Sequence, residues 1–438
     1  RGPYVSYANC GLPYHVGGVI QQESSLLVAN EQVFRGLYGI DVRTNCEAVA
    51  VDPKMKTVDL KNVETGEVTT ESYDKLVLSP GAASVHPPLP GIDLPGIFHV
   101  RTVPDARTIK EWIAGGTDFL AGMSKYAGIQ YVKPTTRAVV IGGGFIGLET
   151  AENLIHLGFE VTLLQKLPQL LGPLDHEVAR LVEEHVKKNG VNVVLNDGAA
   201  AFDELEGGAV EVTTMSGKTY PADIVILAIG VRPDTTLAKA AGLEIGERGG
   251  IRVDDQMRTS DPDIFAVGDV IEVKDVVTGE WSLMALAGPA IRQGRIAADV
   301  IAGRDSRFRG VQGTAIIGLF GGAAAWTGVN ERTLARRGDD DYEKVYIFPN
   351  SHAGYYPGAK MIGMKIIFRK SDGRLLGAQA LGHDGPAVDK RISALAVALQ
   401  MGATIYDLEE AELCYACLLY TSPSPRDHSR YLVCRLLL

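Results

Sequence analysis

What this 438-residue chain lacks closes off several classes of protein. Five cysteines scattered along it are too few for a disulfide framework, so a reducing, cytoplasmic setting is expected. No basic block stands out, and 43 Lys+Arg against 53 Asp+Glu argue against nucleic acid or an anionic membrane surface as the main partner. The longest apolar runs, such as 138–141 and 224–229, have the length of strands, so no membrane span is expected. The chain has neither a signal peptide nor an initiator Met, and reads as a fragment that opens inside a longer protein. Its length calls for two or three domains.

The clearest motif that is present begins at Ala138. The apolar strand Ala138-Val139-Val140-Ile141 runs into Gly142-Gly143-Gly144-Phe145-Ile146-Gly147, a helical pattern follows until Gly158, and a second strand covers Glu160 to Gln165. A lone GxGxxG is weak evidence. Strand, glycine turn, helix and strand within about 30 residues is strong, because the glycines supply the tight turn, the backbone approach to a pyrophosphate and the helix packing. The phosphates would sit on the helix N-terminus near Ile146. At the end of the second strand, where an acid would hold the ribose of NAD, stands Gln165, followed by Lys166. NADH and NADPH both remain open on this ground.

Other strand ends carry glycine too. Asp74–Leu78 stops at Ser79-Pro80-Gly81, 224–229 stops at Gly230, and Ile264-Phe265-Ala266-Val267 stops at Gly268-Asp269. In a doubly wound sheet ligands gather at such carboxyl ends, although each glycine alone can serve only a turn. Beyond Gly310 the pattern changes to antiparallel strands near 314–320, 344–348, 361–368 and 375–380, with a helix from Pro386 to Met401. Near the start, Cys10 lies in Ser6-Tyr7-Ala8-Asn9-Cys10-Gly11-Leu12-Pro13-Tyr14. A free cysteine is more often a small buried hydrophobe than a nucleophile, but Gly11 and Pro13 suit a turn into a helix whose first N–H groups favour a thiolate.

Five blocks in one order, 6–14, 142–147, 266–269, 286–290 and 350–358, resemble the single-cysteine branch of the pyridine nucleotide-disulfide oxidoreductases, above all coenzyme A-disulfide reductases and NADH-dependent persulfide reductases. The resemblance implies an α/β fold with two Rossmann-like nucleotide-binding domains, an FAD domain split around an NAD(P)H domain, plus a C-terminal α+β dimerisation domain. The corresponding boundaries are 1–134 and 253–309 for FAD, 135–252 for NAD(P)H and 310–416 for dimerisation, with 417–438 a non-native tail. It also implies roles. Cys10 matches the redox-active cysteine, Ser6 and Asn9 line the thiol pocket, and Tyr355 or Tyr356, with Tyr415, reach the site from the partner of a homodimer. Gly81, Gly268 and Asp269 match FAD contacts; Gly142, Gly144, Gly147 and Gly230 match nicotinamide-cofactor contacts.

Position 15 then decides the mechanism. Dithiol relatives carry a second cysteine there, and here it is His15, so Cys10 must share its oxidised state with an outside sulfur or oxygen. The expected activity is reduction of coenzyme A disulfide or a similar small disulfide or persulfide. The rivals are an NADH oxidase or peroxidase cycling Cys10 through sulfenic acid, a non-catalytic flavoprotein redox sensor, and an inactive fragment. His15 is expected to be a wall or surface residue. Cys46, Cys414, Cys417 and Cys434 form no metal signature. The family's N-terminal FAD-binding GxGxxG unit lies upstream of Arg1, so weak FAD retention is also expected.

Overall fold

The computed structural model describes residues 1–115, 136–383 and 385–413. Tyr415, Cys414, Cys417, Cys434 and the tail lie outside the described residues. The chain divides into two compact units, one of 1–86, 100–110 and 230–311, the other of 87–99, 111–229 and 312 onward.

The second unit contains the dinucleotide-type sheet. Five parallel strands run in the order Asn192–Leu195, Glu160–Gln165, Arg137–Ile141, Ile224–Leu227, Ile97–Phe98. Ile224–Leu227 is buried at every residue, as a central parallel strand covered on both faces must be. The helix Phe145–His156 follows Arg137–Ile141, and His176–Lys188 packs through Val178, Val182 and Val186. A three-stranded meander, Ala199–Glu204, Val210–Thr214 and Thr219–Ala222, adds a small sheet. Its Phe202 joins Val212, Leu164 and Val225 in one core. The proline-rich connector 87–96 packs on it, because a side chain at Gly91 would strike the Phe202 carbonyl.

The same unit carries a five-stranded antiparallel sheet ordered Ala315–Leu319, Gly322–Gly328, Leu375–Gly382, Ile362–Arg369, Tyr342–Ile347. The strand Gly322–Gly328 has no match in the sequence pattern. Its Gly-Ala-Ala-Ala-Trp-Thr-Gly lacks β-branched alternation, yet it is buried because the helix Gly385–Gln400 lies against it and needs small residues there.

The first unit has shorter sheets. Leu76–Leu78 pairs in parallel with Ile264–Ala266, and Ala82–Ser84 pairs with Val231–Pro233. Cys46–Asp52, Thr57–Asn62 and Val68–Ser72 form an antiparallel meander. Val68–Ser72 is exposed throughout, which explains why no apolar pattern marks it. Helices Glu31–Tyr38 and Val103–Ile113 are likewise unheralded. The core gathers Val51, Leu78, Ile251, Phe265, Val270 and Ile296.

Candidate functional site

The cysteine segment is a short 3-10 turn, Asn9–Gly11, continued by the helix Leu12–Val16 with a proline in its first turn. Two anchors fix it. The Ala8 N–H donates to the Leu26 carbonyl at 2.8 Å, and Ser6–Tyr7 pairs with Leu27–Ala29. Gly11 allows close packing, since a Cβ there would come within 2.7 Å of the Leu26 side chain. Cys10 and Asn9 are exposed, and Ser6 is half-buried. His15 is not at the surface: it is buried, and its Nδ1 pairs with the Ile20 carbonyl at 2.7 Å. That ring braces the helix, so the expectation of a wall or surface histidine is corrected to a core one.

Gly81, Gly268 and Asp269 come together at the carboxyl ends of the parallel strands Leu76–Leu78 and Ile264–Ala266. Both glycines are left-handed, with φ of +73° and +83°, a conformation a side chain would strain. The Gly268 N–H donates to the buried Gln293 Oε1 at 2.8 Å, which ties this turn to the helix Ala287–Ile301. That helix begins in the sequence block 286–290 and has no side-chain cap, leaving first-turn N–H groups available. Burial raises the Asp269 carboxyl, opposed by the Arg101 guanidinium 4.0 Å away.

Arg101 is a site residue that the sequence did not disclose. Its Nε donates to the Ala82 carbonyl at 3.1 Å, beside Gly81. Burial raises the Tyr7 hydroxyl, against the opposing charge of the same Arg101. Arg101 is therefore bound at the glycine-lined strand ends, and its charge reaches Tyr7 of the cysteine segment. Arg107, on the helix that follows, bonds Glu23 and the Tyr4 hydroxyl at 2.6 and 2.7 Å and clamps the segment from below.

In the other unit the glycine turn has the geometry its motif demands. Gly142 has φ +113°, and a side chain at Gly142 or Gly147 would collide with the Ala228 or Gly142 carbonyl respectively. Gly144 is the helix N-cap with open space over its Cα and no side-chain cap, so the first-turn N–H groups around Ile146 are free to receive phosphate oxygens. Gln165 lies against this turn: the Gly143 N–H donates to its Oε1 at 3.4 Å. Gly230, with φ +102°, lies just beyond the end of Ile224–Leu227. The sequence reading also passed over Glu149, one turn into the helix. Burial, then the neighbouring Glu152, pushes its carboxyl up to about 7, the kind of perturbation that marks functional sites.

Tyr355 and Tyr356 occupy the loop between the strands ending at Ile347 and starting at Ile362, and both are exposed. Tyr356 stacks edge-on against His352 with ring centres 5.7 Å apart. A further cluster reads like a metal centre: among the described residues, Asp175, Glu177 and Glu331 offer carboxylates within 4.8 Å of one another. The cation there is built in. Lys365 is fully buried and bonds Asp175 at 2.7 Å, Glu177 at 2.5 Å, and Glu331. Burial alone would raise Glu177, but the Lys365 ammonium and the Tyr346 hydroxyl hold it down at about 2. No described helix is long and apolar enough to cross a membrane.

Comparison with known proteins agrees with this geometry. The family described as pyridine nucleotide-disulphide oxidoreductase matches residues 1–294, and its dimerisation domain matches residues 317–416. An NADH oxidase from Methanocaldococcus jannaschii is 33% identical, covering 94% of this chain and 87% of its own length. A coenzyme A disulfide reductase from Staphylococcus epidermidis is 30% identical, again over 94% of this chain and 87% of its own. The crystal structure of reduced Bacillus anthracis CoADR-RHD superposes with a TM-score of 0.91 at 42% identity, covering all of this chain and 75% of that one. With its glycine turn, its glycine-lined strand ends and its exposed Cys10, the chain belongs to the pyridine nucleotide-disulphide oxidoreductases.

Proposed function

We propose that this enzyme is an FAD-dependent NAD(P)H:disulfide or persulfide oxidoreductase that works through Cys10 as a homodimer in the cytoplasm. The observation that carries the reading is the exposed Cys10, with no second cysteine at position 15 and a buried, committed His15 in its place. The strand ends at Gly81, Gly268 and Asp269 fit a flavin: the left-handed glycines admit close backbone approach, and the half-buried Asp269 carboxyl suits the hydroxyls of a ribityl chain. When bound there, FAD supplies the relay that turns the hydride of NAD(P)H into two electrons for sulfur.

The chain's own residues do the rest. Gly142, Gly144, Gly147 and the helix N-terminus near Ile146 hold the pyrophosphate of NAD(P)H, with Gln165 beside that turn, and Gly230 serves as a further nicotinamide-cofactor contact. Cys10 attacks a small disulfide as its thiolate, forming one sulfur–sulfur bond and expelling one thiolate. Two electrons then cleave the mixed disulfide, return Cys10 as thiolate and release the second thiol. With no internal resolving thiol, the adduct persists until those electrons arrive. Ser6 and Asn9 border the bound thiol, Arg101 steadies the segment, Tyr355 and Tyr356 approach from the second subunit, and Tyr415 serves as a further flavin contact.

The relatives include an NADH oxidase as well as a coenzyme A disulfide reductase, so the test sets substrates side by side. Rates of NAD(P)H consumption are measured with coenzyme A disulfide, a persulfide and O2, for wild type and Cys10→Ser. Disulfide or persulfide should turn over fastest, and the serine variant should lose that activity. Full disulfide reduction by Cys10→Ser overturns the assignment, and fastest turnover with O2 favours the oxidase.

A further inference from the structure

In a strand–turn–helix–strand unit of this kind, the adenosine ribose lies beside the carboxyl end of the second strand. An acid there accepts from the 2′-hydroxyl and repels a 2′-phosphate, whereas a cation nearby accommodates the phosphate. In this chain that strand is Glu160–Gln165, in parallel register with Arg137–Ile141. Its last residue is neutral, and its amide is already engaged. Oε1 receives the Gly143 N–H at 3.4 Å, and Nε2 donates to the Gln169 carbonyl at 3.1 Å.

The acids that follow in sequence are engaged as well. Asp175 is bound to Lys365 and Gln379. Asp197, whose N–H donates to the Gln165 carbonyl, has both carboxylate oxygens on Ser216. Both carboxylates are thus already committed to groups of the fold.

The cations are placed the other way. Lys166, directly after Gln165, is exposed and makes no ion pair or side-chain hydrogen bond among the described residues. Its backbone is held on both sides, by the Asp197 N–H donating to the Gln165 carbonyl and the Asn196 N–H donating to the Leu167 carbonyl, each at 3.2 Å. The loop that follows folds back on the glycine turn through the Leu171 N–H to the Gly143 carbonyl at 2.9 Å. A second cation, Arg332, donates to the Gly172 carbonyl on that loop.

We infer that the dinucleotide site selects a nucleotide bearing a 2′-phosphate, NADPH over NADH, and that Lys166 reads the phosphate. The inference rests on the Gly142–Gly147 turn being the nicotinamide-cofactor site. The test needs neither flavin nor turnover: the chain is titrated calorimetrically with 5′-AMP and with adenosine 2′,5′-bisphosphate. The bisphosphate should bind at least about tenfold tighter, as one charge-assisted contact provides. Lys166→Ala should bring the two within about threefold by weakening the bisphosphate alone, a selectivity that a merely structural role would not produce. Gln165→Glu should turn the order toward AMP. Equal binding, or tighter AMP binding, by the wild type overturns the inference and leaves the cofactor site standing. Binding of neither nucleotide sinks the cofactor-site reading, and this inference with it.

Discussion

The Lys365 cluster and the Cys10 segment are built in opposite ways. Around Lys365, three carboxylates, a fully buried ammonium, the Tyr346 and Tyr342 hydroxyls and the Gln379 amide satisfy one another. Around Cys10 the thiol is exposed on a short turn, and the residues that hold the turn, His15, Leu26 and Arg107, grip its backbone and flanks. A dense group of charges in this protein is therefore a clasp, and the sparse segment is the one proposed to react. Charge density alone does not mark a site; a group held in place but left unengaged does.

The largest effect on folding should come from Lys365→Met. It removes the ammonium that three carboxylates share, and breaking a buried ion pair by removing one partner costs about 3–5 kcal/mol. Thermal or urea unfolding should show it, and Glu331→Gln in the same background should recover part of the loss. The clasp also sets an acid limit. Glu177 falls from its usual 4.5 to about 2 in the folded protein, so its contribution is present above about 4.5 and is lost as pH falls toward about 2. If Lys365→Met melts like wild type, the cluster is not a clasp.

Next comes Gly147→Ala, whose new methyl would strike the Gly142 carbonyl. About 1–3 kcal/mol of overpacking strain is expected, together with a loss of nucleotide binding measured by titration with AMP.

Glu149 gives an effect of pH sign opposite to that of Glu177. Its carboxyl is raised to about 7, so the folded protein binds the proton more tightly, and stability should fall as pH rises from about 4.5 to 7. Glu149→Gln should remove about 1–3 kcal/mol of that decline, read from unfolding at pH 5 and pH 8. An unchanged pH profile in the variant contradicts this assignment.

Much of this was legible because the chemistry sits where local pattern and backbone geometry coincide. Ile224–Leu227 and Arg137–Ile141 announce buried parallel strands, and Gly142, Gly81, Gly268 and Gly230 all have the positive φ that turns at strand ends require. What was hidden depends on partners far apart in sequence. Arg101 gains meaning from Ala82 and Asp269, and Lys365 from Asp175, 190 positions earlier. A lysine inside the apolar strand Ile362–Arg369 was the signal that could have exposed the clasp. The alanine-rich Gly322–Gly328 was hidden for another reason: its strand character comes from the neighbours it pairs with rather than from its own residues.

The smallest folding effect should be that of Cys10→Ser, within about 0.5 kcal/mol of wild type for an exposed side chain. That near-silence in stability, set against loss of disulfide reduction, would complete the contrast with Lys365.

The most direct measurement is the intact mass of the protein after reaction with one equivalent of coenzyme A disulfide, with peptide mapping of the product. One coenzyme A per chain, on Cys10, released by reductant and absent in Cys10→Ser, is the expected result. An unmodified protein, or an adduct on Cys46 with Cys10 free, would contradict the role given to Cys10.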